Sequence, residues 1–144
     1  MVNRVWDKEN QYKEGLLKEY KHWVLEVSYR QHTLGCYIIF SKREIERISQ
    51  LTTEEIDELR QVMKNIEKAL TKTVELKPDR FNYLQLGNFL HHLHFHGIPR
   101  YKSPRVFNGQ KWIDSTWGQP PVWSETKVGD GIVIKLRELI KKHL

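Results

Sequence analysis

The segment His92-Leu93-His94-Phe95-His96 constrains the fold of this chain more than any other, because polar and apolar residues alternate through it with a period of two. Side chains of an extended strand alternate between faces, so His92, His94 and His96 share one side while His91, Leu93 and Phe95 project from the other. One face then carries chemistry and the other enters a core. The three imidazoles, spaced about 6.5 to 7 Å apart along such a strand, are close enough to share hydrogen bonds directly or through a phosphate, and they are poor material for burial.

The rest of the chain supplies what such a strand needs around it. Trp23 to Tyr29 and the short run Cys36 to Phe40, set off by Gly35, have the β-branched and aromatic content of two strands. Phe81 to Leu86 and Phe89 to Ile98 predict two more, joined as a hairpin by a turn at Gly87-Asn88. Thr52 and Glu55 form a capping box ahead of Ile56, Leu59, Met63, Ile66 and Leu70, which recur at helical spacing. Ile132, Val133, Leu136, Leu139 and Ile140 give an amphipathic helix from about Gly131 to His143. A first helix is expected from Asn10 to about His22, on the spacing of Tyr12, Leu16 and Tyr20. Strands without βαβα alternation predict an α+β fold, an antiparallel sheet with flanking helices.

With 144 residues, of which 39% are hydrophobic and 11% aromatic, the chain has material for one core, so a single domain over 1–144 is expected. Its centre is 20–101; a loop rich in proline, glycine and tryptophan and the last helix fill 102–144. No apolar run has the length of a membrane span, and the start lacks the apolar core of a secretory signal. The single Cys36 can form no intramolecular disulfide, which agrees with a cytoplasmic location. The 24 Lys and Arg against 18 Asp and Glu give +6, a surface that attracts anions. These charges are interspersed, as solvated helix faces are, and no specific nucleic-acid partner is expected.

Three histidines on one face allow three readings. They can be structural, they can bind zinc, copper or nickel, or an imidazole can attack phosphorus and form a phosphoramidate that water then cleaves. A metal site is disfavoured because three consecutive same-face positions converge poorly on one ion, so no residue is assigned as a metal ligand. Nucleophilic catalysis suits histidine, which is uncharged near neutral pH and whose second nitrogen a neighbour can hold. Arg100 and Lys102 follow immediately, and a guanidinium there could neutralise charge on a phosphate. Trp112, Trp117 and Trp123 could stack on a base, although packing of the loop on the sheet is the expected role. Cys36 is expected to be a buried small hydrophobe, and His91 to lie away from the chemistry.

The run Gly87-Asn88-Phe89-Leu90-His91-His92-Leu93-His94-Phe95-His96-Gly97-Ile98-Pro99-Arg100-Tyr101 resembles the histidine-triad (HIT) family, and in particular its small bacterial hydrolases of the dinucleoside polyphosphate type. Gly97 stands where the family usually has an apolar residue, and a looser strand end is expected there. Thr33 to Arg43 is similar to the family's strand ending in Pro-Lys-Arg-His, with Ser41 for the proline and with Cys36 and Glu44 where many relatives have histidines.

The resemblance implies a sheet of about five strands, a homodimer, and hydrolysis or transfer at the α-phosphorus of a dinucleoside polyphosphate, nucleoside phosphoramidate or similar conjugate. No cofactor is obligatory, although a divalent metal can arrive bound to substrate phosphates. It makes His94 the nucleophile, with His92 holding it and stabilising its charge, and His96 contacting phosphate oxygens or supporting the triad. Asn88, reached along the same strand face, and Asn82 become substrate contacts, and Ser28 falls near the ribose position, with Glu26 a substitute if it faces the same way. The alternatives are a nucleotide-binding regulatory protein with little turnover and a histidine metalloprotein.

Overall fold

The computed structural model describes residues 14–144. Strands β1 (Leu16–Glu19), β2 (Trp23–Val27), β3 (Tyr37–Ser41), β4 (Arg80–Leu84) and β5 (His94–Arg100) form one sheet in the order β1-β2-β3-β5-β4. All neighbours are antiparallel, and β5 lies between β3 and β4. Helix α1 (Thr53–Lys72) connects β3 to β4, a short hairpin of β6 (Arg105–Phe107) and β7 (Gln110–Trp112) follows β5, and α2 (Asp130–Lys141) closes the chain.

Helix α1 begins where the capping box predicts. Thr52 Oγ1 accepts from Glu55 N–H at 3.2 Å, and Glu55 Oε1 accepts from Thr52 N–H at 2.9 Å. Its buried side includes Leu59, Val62, Ile66, Ala69 and Leu70, so the stripe is rotated from the expected one and Ile56 is exposed. In α2, Val133, Leu136 and Ile140 are buried. Both helices pack on the sheet face formed by Trp23, Leu25, Val27, Tyr37, Ile39 and Phe95. Trp23 Nε1 donates to the Glu55 carbonyl at 2.8 Å, satisfying the indole at the foot of α1.

The first helix is corrected from residue 14 onward; residues 10–13 of that expectation lie outside the described residues. Leu17 is buried and Leu16 exposed, the alternation of an edge strand, and Tyr20 N–H donates to the Trp23 carbonyl at 2.7 Å to turn β1 into β2. Gly15 lies against Val27, where a Cβ would come 2.7 Å from the carbonyl oxygen. Pairing with β2 and this close approach outweigh helical spacing. The loop-rich stretch after Pro99 also holds an element the spacing argument missed. Asn108 and Gly109 both have positive φ, 52° and 72°, and make the two-residue turn of the β6–β7 hairpin.

Gly97 does not loosen the strand. The Tyr37 ring lies over it, and a Cβ at position 97 would overlap that ring. The Tyr37 hydroxyl is 2.7 Å from that of Tyr83, which donates to Glu67 Oε2 at 2.6 Å, so the missing side chain is what lets β3, β4 and α1 interlock.

Candidate active site

Opposed residues of an antiparallel pair point to the same face. The registers Phe40↔His94, Ile38↔His96, Glu26↔Ile38 and Asn82↔Ile98 therefore put His94, His96, Phe40, Glu26, Asn82 and Arg100 on the face away from the helices. His92 does not belong to the strand. Regular pairing of β5 begins at His94, and the expected hairpin is instead a nine-residue connection, 85–93, between β4 and β5.

That break fixes the nucleophile candidate. Leu93, wholly buried, is held by its N–H to the Ile45 carbonyl at 2.7 Å and by its carbonyl to Ser41 N–H at 3.1 Å. His92 Nε2–H donates to the Ser41 carbonyl at 2.6 Å. The His92 carbonyl accepts from His94 Nδ1–H at 2.6 Å. With the proton held on Nδ1, the lone pair of His94 is on Nε2. His92, expected to hold His94, meets it through its backbone carbonyl, while its imidazole anchors that backbone to β3.

Phe40 stacks on the His94 ring with centroids 5.5 Å apart, and the His96 ring stands edge-on to His94 at 4.9 Å. Burial lowers the pKa of His94; the bond to the His92 carbonyl opposes this, and the charge of His92 adds to it. His96 is lowered to about 4 by burial, then by the charges of His94, His32 and Arg30. Both imidazoles are therefore neutral at pH 7.

Two residues the sequence reading passed over join this site from the β2–β3 loop. The His32 ring stacks on Trp123 at 4.0 Å, and Trp123 meets the His96 ring edge-on at 5.0 Å. His32 Nδ1 accepts from Ser124 N–H at 2.7 Å, which ties the loop to the C-terminal segment. Arg30 is close enough for its charge to depress both His32 and His96. No local pattern marks either residue, because their positions depend on how the loop is pinned. Gln31 bonds the Ser28 and Cys36 carbonyls and accepts from Gly35 and Cys36 N–H, while Tyr101 Oη donates to the Leu34 carbonyl at 2.6 Å.

Other assignments change. Arg100 faces the site side of the sheet but is buried, and its guanidinium is fully engaged. It bonds Asp114 at 2.7 and 3.1 Å, Asn82 Oδ1 at 2.8 Å, and the Gln119 and Thr116 carbonyls at 2.7 Å each. It locks the C-terminal loop to the sheet and has no donor left for a phosphate. Asn82 is its partner, which removes the carbonyl oxygen of that amide from the substrate role expected of it. Ser28 is buried, and its Oγ accepts from Arg30 N–H at 3.0 Å as part of a turn, so the ribose assignment fails there. Glu26 is the acidic residue that does face the site.

Asn88 lies on the exposed 85–93 connection, where its carbonyl is 3.2 Å from His91 Nε2, so it is not reached along a strand face. It lines a surface cavity of about 510 Å³ with residues 46–49, and none of the triad histidines lines that cavity. Lys102 sits over the Trp117 ring, and Trp112 packs against the core with Nε1 toward the Phe107 carbonyl. Cys36 is buried with its thiol pKa raised by that burial, as expected of a small apolar residue. Among the described residues no group of three or more His, Cys, Asp and Glu side chains is placed to hold a metal ion. No helix among them is long and apolar enough to cross a membrane.

The family model described as HIT domain matches residues 16–103, and the chain belongs to the HIT family. Among solved structures, it is similar to a histidine triad protein of Sinorhizobium meliloti at 18% identity, covering 94% of each chain with a TM-score of 0.71. A HIT-like protein of Bartonella henselae, described as involved in cell-cycle regulation, matches at 17% identity over 100% of this chain and 98% of that one, TM-score 0.70. A Plasmodium falciparum diadenosine triphosphate hydrolase matches at 14% identity over 90% and 76%, TM-score 0.65. At these identities the likeness is one of fold. No curated protein sequence matches the chain.

Proposed function

We propose that the chain is a nucleotide hydrolase or nucleotidyl transferase that acts at an α-phosphorus through His94, on a dinucleoside polyphosphate, a nucleoside phosphoramidate or a related conjugate. The observation that carries this reading is the bond from His94 Nδ1–H to the His92 carbonyl. It leaves Nε2 as the basic atom of a ring that burial keeps neutral. Membership of the HIT family and the fold shared with a diadenosine triphosphate hydrolase support the substrate class.

In the first step the Nε2 lone pair forms a bond to phosphorus, and the bond from phosphorus to the leaving group breaks, with the leaving group keeping its electron pair. The imidazole now carries positive charge, which the His92 carbonyl shares through Nδ1–H. His96, neutral beside it, donates a hydrogen bond to a phosphate oxygen. In the second step water attacks the phosphorus, the N–P bond breaks with its electrons returning to Nε2, and the proton lost by the water passes to solvent. Glu26, in line with Ile38 and His96 across the sheet, is the proposed ribose contact in place of Ser28. Asn88 reaches substrate only through the 85–93 connection.

The test is hydrolysis of diadenosine polyphosphates and adenosine phosphoramidate by wild type and His94→Ala side by side, with mass spectrometry of the quenched protein. A nucleotidyl adduct on wild type and loss of turnover in the variant are expected. Turnover unchanged in His94→Ala would sink the proposal. Nucleotide binding without turnover in wild type would favour a regulatory protein.

A further inference from the structure

Arg30 and His32 enter none of the steps above, yet both carry buried donor atoms without a partner. Arg30 Nε and His32 Nε2 have no hydrogen-bond partner among the described residues. For His32 the protonation follows from geometry: Nδ1 accepts from Ser124 N–H, so in the neutral ring the proton is on Nε2 and must be donated. A buried donor left without an acceptor is destabilising. Here two of them lie within three residues of each other, on a loop pinned by Gln31 and packed through Trp123 against His96.

Alternative occupants of these donors are weak. His32 is stacked against Trp123, so a flip of its ring would lose the Ser124 bond and any other rotation would break the stack. Among the described residues Arg30 forms no ion pair, while other buried or half-buried arginines do: Arg100 with Asp114 and Arg137 with Glu14. A cation and a neutral N–H donor, each with a buried donor atom short of an acceptor among the described residues and both beside the His96 imidazole, match an oxyanion with several lone pairs.

We infer that Arg30 and His32 form an anion subsite next to His96 that binds a phosphate group of the substrate, the task sequence position would give to Arg100. A guanidinium offers planar pairs of donors to two phosphate oxygens, and the His32 Nε2–H offers one more. Identifying the bearer of that phosphate as a nucleotide rests on the proposed function; the anion subsite itself rests on the donors. Trp123 holds His32 in its orientation, so the C-terminal segment is needed to complete the subsite.

The experiment is calorimetric titration of the full chain with inorganic tripolyphosphate, adenosine 5′-monophosphate and adenosine, for wild type, Arg30→Lys, Arg30→Gln, His32→Asn and His94→Ala. Wild type and His94→Ala should bind tripolyphosphate. Loss of a charge-assisted pair should weaken it by about tenfold or more in Arg30→Gln, with partial retention in Arg30→Lys. His32→Asn should weaken it by about three- to tenfold. Unchanged adenosine affinity would show that the variants fold.

The inference is overturned if wild type takes up no tripolyphosphate, or if Arg30→Gln and His32→Asn bind it as wild type does. Arg30-dependent binding of tripolyphosphate without His94-dependent nucleotide turnover would uphold the subsite and remove the hydrolase reading, so the two failures are distinct.

Discussion

Replacing Arg100 by methionine separates a structural arginine from a phosphate-binding one. Methionine preserves much of the apolar stem and deletes the guanidinium, whose bonds run to Asp114, Asn82, Gln119 and Thr116. The Asp114 carboxylate, with 2% of its side chain exposed, then loses its cation. Breaking a buried ion pair from one side typically costs about 3–5 kcal/mol, because a buried charge is stranded. Against a domain stability of about 5–15 kcal/mol this is a large share. For a chain of this size it corresponds to a fall in Tm of about 10 °C or more.

Urea unfolding followed by tryptophan fluorescence reads the effect, and the double variant Arg100→Met, Asp114→Asn should recover part of it by removing the stranded charge. Burial pushes the Asp114 carboxyl up, but the bonds from Arg100 and from Tyr101 N–H more than offset this and hold it below its ordinary value. The contribution of the pair is therefore present above the unfolded pKa and is lost as pH falls through the lower folded value. The deficit of Arg100→Met should shrink in strong acid. Wild-type stability combined with a collapse of kcat/KM in folded Arg100→Met would refute the structural assignment and return Arg100 to the substrate.

Because the pKa of His94 is lowered and that of His96 lies at about 4, kcat/KM should stay level as pH falls below 6.5 and drop only in more acid solution; a pH-rate profile that breaks at 6.5 would contradict it. His32 and His96, both held at about 4, bind fewer protons folded than unfolded, so their stabilising contribution is present above 6.5 and lost as pH falls through 4, measurable by urea midpoints across that range. Gly97→Ala should destabilise by about 1–3 kcal/mol through overlap with the Tyr37 ring, and Tyr37→Leu in the same chain should relieve part of that. Glu55→Gln should cost about 1–2 kcal/mol by removing charge from the bonds to Arg43 and Thr52; the Arg43 bond, which chiefly lowers Glu55 to about 2, makes this deficit full above about pH 4.5 and smaller as pH falls through 2.

Periodicity and capping were enough to find β2, β3, α1 and α2, because each of these depends on its own alternation or cap. β1 was not legible. Its residues Leu16 to Glu19 obey helical spacing with Tyr12 and Tyr20 as well as strand alternation, and only pairing with β2 decides between them. The site divides in the same way. His94 and His96 were readable as a strand face, but the strand starts at His94, and it is the carbonyl of His92 that meets His94. Arg100 was misread because its partner Asp114 is fourteen residues away on a loop with no regular pattern. Arg30 and His32 were missed for the converse reason: a loop folded around Gln31 brings them to a strand they do not adjoin in sequence.

The break before β5 explains why the triad can work as a site and not only as a row of side chains. In a continuous strand, carbonyls are drawn into the ladders on either side. Here pairing with β3 ends at Phe40↔His94; Ser41 N–H still donates to the Leu93 carbonyl, but the Leu93 N–H turns away to the Ile45 carbonyl and takes the chain out of the ladder. The His92 carbonyl is thereby aimed at the ring two residues on. Its own imidazole, bonded to the Ser41 carbonyl, prevents that peptide from rotating back into the ladder. Leu93 supplies the apolar anchor, His92 the lock and His94 the nitrogen proposed to react, so the alternation that first marked this segment positions the proposed nucleophile through its backbone as much as through its side chains.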